Sequence, residues 1–458
     1  MNALILSAVL GVIMMFSSIL LKQKSAMRAI AITGLVLLLA VNLLETYSDP
    51  FFSVNSYGLI AFDKFALFFN SIVFVATLIY FLLSAKDMER VGVNYAEYFA
   101  LIFFILCGIV LVSSFKSLLI LFLGIEIISI PLYILTGSDK RNLKSNEASL
   151  KYFLMGSFST GLMLMGIVLV YGAQGTFSTA GAVVAQAKPS LLLVAGMMLL
   201  LFSMAFKASA APFHFWTPDV YDGAPTVFTS FMATIVKAAI FIAFIRLFGE
   251  GFGGLQAEWK LWIAVMTAAT LFIGNITAVF QQSVKRMLSY SSIAQAGFML
   301  LSLFALNTDA KEGLLLYAAA YSFATIGIFA VLGKMNDYTF DGFNGLAKKE
   351  PMIAGALTVF LLSLAGIPMT AGFMAKFYML KATIATPHGL WLAIFAILMA
   401  AVSVYYYFRV IQAMYFKEGD AKIDATASAS FKWVLVVLAA IVILVGLFPG
   451  LLLQWFYF

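Results

Sequence analysis

Read from its first residue, the chain alternates long apolar runs with short polar breaks, and most runs match the thickness of a bilayer. A helix crossing the hydrocarbon core needs about 20 apolar residues. On that measure the sequence predicts about 14 membrane helices. They fall at 2–21, 27–44, 62–84, 95–113, 117–136, 147–172, 189–216, 224–248, 258–280, 285–305, 311–334, 351–384, 388–416 and 430–453. The fold class expected is an all-α polytopic membrane protein. The longest spans have to tilt, break or leave the bilayer. The polar segment around 45–61, with Pro50, is expected to lie along the interface. Pro449-Gly450 predicts a break in the last helix, and the closing QWFYF fits an interfacial aromatic belt.

Composition agrees with this picture. The chain is 63% hydrophobic and only 11% charged, where a soluble domain carries about 25% charged residues. A net charge of +7 invites a nucleic-acid reading, but the distribution of basic residues opposes it. Lys and Arg crowd the odd-numbered loops (Lys22, Lys24 and Arg28; Lys140, Arg141, Lys144 and Lys151; Lys334, Lys348 and Lys349 among them) and thin out in the even ones. The positive-inside rule then puts odd loops in the cytoplasm and both termini on the periplasmic side of a bacterial membrane. The first apolar run lacks a basic leader and reads as the first membrane helix, not a cleaved signal. The single cysteine, Cys107, reads as a small buried hydrophobe. With two histidines, His214 and His388, the chain alone offers no disulfide, no cysteine cluster and no histidine metal site.

Four ionisable residues interrupt the apolar spans: Glu126, Lys207, Lys237 and Lys376. A charge at the bilayer centre costs roughly 2.5–3.5 kcal/mol on insertion scales, and such residues mark ion or proton routes by default. For each there is a plainer reading. Glu126 could be a structural acid bonded to a neighbouring helix, and Lys237 a permanent partner of one. Lys207 could snorkel to the cytoplasmic interface. Against that, Pro212 lies five residues beyond Lys207 and frees backbone carbonyls near it. Gly366, Pro368 and Gly372 do the same ahead of Lys376. A breaker and a lysine in one span, occurring twice, point to inverted repeats of five helices, 4–8 and 9–13, with helices 7 and 12 broken. The segments are then 1–94, a first repeat at 95–248, a second at 249–416, and a last helix at 417–458. His214 either passes protons at the end of the seventh helix or anchors its loop. Asp219 and Asp222 read as loop ties, and His388 as structural. No phosphate loop, dinucleotide fingerprint, nucleophile triad or metal cluster is legible. If the chain moves protons, its energy comes from elsewhere.

The run KASAAPFHFWTPDVYDGAPT, Lys207 to Thr226, resembles the signature of the antiporter-like, proton-translocating membrane subunits of bacterial respiratory NADH:quinone oxidoreductase (complex I). Its TPDVY-x-GAP wording is that of the subunit N family. KRMLSYSSIAQAGF, LAGIPMTAGFMAKFYML and the GIEIISIPLYIL around Glu126 extend the likeness over about the whole chain. The resemblance implies a 14-helix fold and a place in the membrane arm beside other subunits, including a sister antiporter-like subunit. FMN, iron–sulfur clusters and quinone are expected in partner subunits, with no cofactor or metal in this chain. It implies that Glu126 and Lys207 form the acid–lysine pair of the input half, that Lys237 connects, and that Lys376 ends the output half. Members of a multisubunit sodium/proton antiporter are the alternative. Relatives often carry His where this chain has Gln295; Ser291, Ser292 and Tyr317 are candidates to substitute.

Overall fold

Inside a bilayer a backbone has to satisfy its own hydrogen bonds, so apolar runs of this length fold as helices. The computed structural model describes residues 1–48, 51–52, 56–179, 189–424 and 428–457. Among the described residues, twelve helices are long and apolar enough to cross a membrane, from Asn2–Leu20 to Ala429–Leu447. The chain is therefore an all-α, multi-pass membrane protein. Polar residues at the predicted boundaries start many of these helices as caps. Asp63 accepts from the Ala66 N–H at 2.8 Å, and Asn307 from the Ala310 N–H at 2.9 Å.

The count of fourteen differs from twelve because two expected spans are divided. The run expected at 189–216 is helical only over Leu191–Lys207; a turn follows, then a short helix Trp216–Gly223. The run expected at 351–384 is helical over Pro351–Ala365 and again over Ala371–Ile384. Gly366, at φ +86°, ends the first of these in a left-handed conformation that favours glycine. The last span also stops, at Leu447, and a further helix, Gly450–Tyr457, begins within the Pro-Gly pair where a break was expected. Pro50 and the side chains of the terminal aromatic run lie outside the described residues.

Three helices form the interior. Thr226–Gly251 and Thr308–Leu332 are buried along their whole apolar length, and Val284–Ala305 nearly so. Asn2–Leu20, Lys24–Tyr47 and Leu143–Gln174 bury only a third of theirs and present the rest outward. Small residues let helices approach closely, as membrane packing without a hydrophobic driving force requires. At Gly166 and Gly196, where two helices cross, a Cβ on either would fall 2.9 Å from the other's carbonyl oxygen. The interior helices carry Lys237 and, through Phe298, face Lys376, two of the three lysines that the sequence singles out.

Candidate functional site

Glu126, midway along Leu118–Thr136, is half-buried and accepts a hydrogen bond from Thr160 Oγ1 at 2.8 Å. Lys207 is the last residue of its helix and is 9% exposed, so it does not snorkel. Its Nζ donates to Ser129 Oγ at 2.9 Å and lies 6.0 Å from the Tyr133 ring centre. The direct acid–lysine pair is thus not formed. Ser129, one turn beyond Glu126, takes the ammonium, while Thr160 takes the carboxylate. The turn after Lys207 is stitched down locally: Trp216 Nε1 donates to the Phe206 carbonyl at 3.1 Å, and the Ala211 N–H to Thr270 Oγ1 at 2.9 Å.

Lys237 follows a π-helical turn at Met232–Val236, an irregularity that re-aims the residues after it. It is 2% exposed. Its Nζ donates to the Ser292 carbonyl at 2.9 Å and to Ser292 Oγ at 2.5 Å. Lys376 is also buried, and here the helix break serves it directly. The carbonyls of Leu364 and Ala365, left without intrahelical donors where Pro351–Ala365 ends, accept from Nζ at 2.7 and 3.0 Å. The partial negative charge of a helix C-terminus adds to that hold. Phe298 covers the ammonium at 4.6 Å.

Val284–Ala305 joins the two lysine sites. Ser292 holds Lys237. Gln295, one turn on, donates through Nε2 to the same Leu364 carbonyl at 3.0 Å that Lys376 uses. Tyr317 donates to Gln295 Oε1. Of the three polar residues that the sequence offers as substitutes for a histidine, Ser292 bonds Lys237 and Tyr317 lines a cavity with Lys376, while Ser291 bonds to Tyr407. Tyr407, within the aromatic run YYYF, is not among the residues that the sequence singled out.

Several charges near helix ends are buried. Lys285 donates to the carbonyls of Asp222 and Ala224 at 2.8 and 2.7 Å. Arg246 grips both oxygens of Asp63 at 2.8 and 2.7 Å. Lys334 pairs with Asp87 at 2.5 Å. Hydropathy windows place such residues at helix ends but do not tell which way they face. Asp219 ties its loop as expected, accepting from Lys151 at 2.9 Å and Arg286 at 3.0 Å. Partial burial alone would raise its carboxyl, but these two cations hold it below the usual carboxylate value. His214 is buried, and its Nδ1 has no hydrogen-bond partner among the described residues. Cys107 is half-buried. No group of three or more His, Cys, Asp and Glu among the described residues could hold a metal ion.

Residues 115–403 match the family model described as NADH:quinone oxidoreductase/Mrp antiporter, TM. A NADH-quinone oxidoreductase subunit N of Cytophaga hutchinsonii is 40% identical, over 99% of this chain and 99% of its own. A chain of respiratory complex I from Thermus thermophilus with bound aureothin is 31% identical. It superposes at a TM-score of 0.84, with 99% of this chain and 98% of that one covered. A chain of the Mrp complex from a Dietzia species superposes at 0.86 over 99% and 96%, but at 18% identity it shares the fold alone.

Proposed function

This chain belongs to the NADH:quinone oxidoreductase/Mrp antiporter membrane family, among its subunit N members, and from that premise we propose how its buried residues carry protons. It is a proton-translocating membrane subunit of NADH:quinone oxidoreductase, coupled to quinone reduction elsewhere in the complex, in a bacterial inner membrane. Glu126 and Lys207 form the input, Lys237 the middle and Lys376 the output of a relay.

One observation carries this reading. The ammonium groups of Lys207, Lys237 and Lys376 rest on neutral oxygens: a serine hydroxyl, a serine hydroxyl with its carbonyl, and two helix-end carbonyls. A lysine clamped to a carboxylate is locked in its charged form, because losing the proton strands the acid. Lys334, on Asp87, is of that kind. The other three can change charge when their surroundings change. Glu126, held by Thr160 rather than by the lysine, is placed to modulate Lys207 through space. His214 is assigned to the entrance, at the end of the same divided span as Lys207, where an unpartnered imidazole nitrogen suits proton exchange.

The remaining architecture follows the family. Counting each divided span as one crossing gives fourteen, and the divided spans occupy corresponding places in the repeats 95–248 and 249–416. Both termini face the periplasm. The partners are other membrane-arm subunits, including a sister antiporter-like subunit. FMN, iron–sulfur clusters and quinone reside in partner chains.

The test is a panel in the assembled complex in proteoliposomes: Glu126→Gln, Lys207→Met, Lys237→Met and Lys376→Met. Protons moved per quinone reduced should fall in each, with assembly preserved. Lys237→Met that pumps and turns over like the wild type removes Lys237 from the path. Sodium rather than proton movement would favour the antiporter reading.

A further inference from the structure

The relay leaves one step without a carrier, because Gln295 stands between Lys237 and Lys376 and an amide neither gains nor loses a proton at neutral pH. Its surroundings are nonetheless closely defined. Nε2 donates to the Leu364 carbonyl at 3.0 Å and to the Tyr407 hydroxyl at 3.1 Å. The amide cannot be turned over, since a carbonyl has no proton to offer an amide oxygen. Oε1 therefore faces Tyr317, whose hydroxyl donates to it. Tyr407 is itself held by a hydrogen bond with Ser291. Gln295, Tyr317, Tyr407 and Ser291 are each 2% exposed or less. Gln295, Tyr317, Tyr321 and Lys376 line one cavity of about 10 Å³, close to the room a single water needs. The Tyr321 hydroxyl is buried without a hydrogen bond among the described residues, a condition that ordered water relieves.

We propose that Tyr317 is the hydroxyl that delivers the proton to Lys376, and that Tyr407, acting through Gln295, is the positioning residue that holds it in place. This rests on the relay reading above. In the step, an N–H bond of the Lys237 ammonium breaks and its proton, arriving from the Tyr321 side, forms a bond to Tyr317 Oη. The phenol's own O–H bond breaks, and that proton passes through one water in the cavity to the free amine of Lys376. Nothing is oxidised or reduced, and no other bond changes. At rest the Tyr317 O–H points at Gln295, so it swings from the amide oxygen to the cavity for the transfer. Gln295 thereby keeps the phenol oxygen beside the cavity while offering no path through itself. Without Tyr407, the Nε2 end of the amide is held only by the Leu364 carbonyl, for which the Lys376 ammonium competes.

The experiment measures protons moved per quinone reduced, and uncoupled turnover, in the assembled complex from pH 6 to 8. Tyr317→Phe is expected to pump no more than Lys376→Met. Tyr407→Phe is expected to cut this subunit's output about 2- to 10-fold, the factor that one neutral hydrogen bond is worth. Adding Gln295→His to Tyr407→Phe should restore output and introduce a titration near neutral pH, which a purely structural role would not do. Wild-type pumping by Tyr317→Phe overturns the proposal, as does a silent Tyr407→Phe or one that Gln295→His leaves unrestored. Wild-type pumping by Lys376→Met sinks the relay reading instead. If Tyr407→Phe does not assemble, Ser291→Ala, which removes the other bond to Tyr407, is judged by the same outcomes.

Discussion

Replacing Gly366 by alanine tests whether the gap between Pro351–Ala365 and Ala371–Ile384 exists to hold Lys376. Gly366 sits at φ +86°, where a residue with a Cβ loses about 1–2 kcal/mol. The added carbon would lie 2.9 Å from Lys376 Cδ and 3.4 Å from its Nζ. A flexible lysine yields before backbone does, so the ammonium moves off the carbonyls of Leu364 and Ala365, now at 2.7 and 3.0 Å. A hydrogen bond to a charged group is worth about 1.5–3 kcal/mol, so losing one weakens the site's hold on a proton by about 10- to 150-fold. Gly355→Ala is the matched control, a helical glycine whose added Cβ meets nothing within 4 Å.

Both variants go into the assembled complex, reconstituted in vesicles, with quinone reduction and proton movement recorded together. Gly366→Ala should assemble, reduce quinone when uncoupled, and lose the share of pumping that Lys376→Met loses. Gly355→Ala should match the wild type. Equal pumping by the two alanine variants at equal assembly would refute the argument, because the break would then be a packing detail unconnected with proton output.

Three other outcomes are expected. Lys334→Met strands the buried carboxylate of Asp87 and should destabilise the complex by about 3–5 kcal/mol. The double variant with Asp87→Leu should recover most of that in thermal inactivation, and protons per quinone should stay unchanged in whatever assembles. Asp219→Asn should weaken the loop tie to Lys151 and Arg286. Because the folded-state carboxyl lies below its usual value, its contribution is complete above about pH 4 and fades only as acid takes the pH lower. The stability difference should therefore be flat from pH 6 to 8, and a slope across that range would contradict the assignment. Thr160→Ala keeps the Glu126 carboxyl but removes its hydrogen bond, so it should lower pumping less than Glu126→Gln does; a larger loss would make the hydroxyl, not the carboxyl, the working group.

Much of the site was legible in advance because it breaks local rules. A lysine in the middle of an apolar run stands out on any hydropathy profile, as Lys237 does, and so does a cluster of glycine and proline ahead of Lys376. Gln295 was legible as a departure, but its consequence was not. What it touches comes from three other helices, through Leu364, Tyr317 and Tyr407, far along the chain. Lys285, Arg246 and Lys334 went the other way. Each lies at a helix end where solvent is the ordinary expectation, and each is buried by a partner brought from elsewhere.

By itself the sequence determined the helical class, the apolar runs that form most of the helices and the four charges inside those runs. Those properties depend on neighbours within a turn or two, or on the length of an apolar run. The tertiary structure alone decided which oxygen each lysine meets. Glu126 and Lys207 read as a pair, yet they are held apart by Thr160 and Ser129. Lys237 finds a serine, and Lys376 finds the carbonyl ends of a helix. Whether a buried amine is locked or free to change charge depends on that oxygen, and helix packing chooses it across distances that no local pattern records.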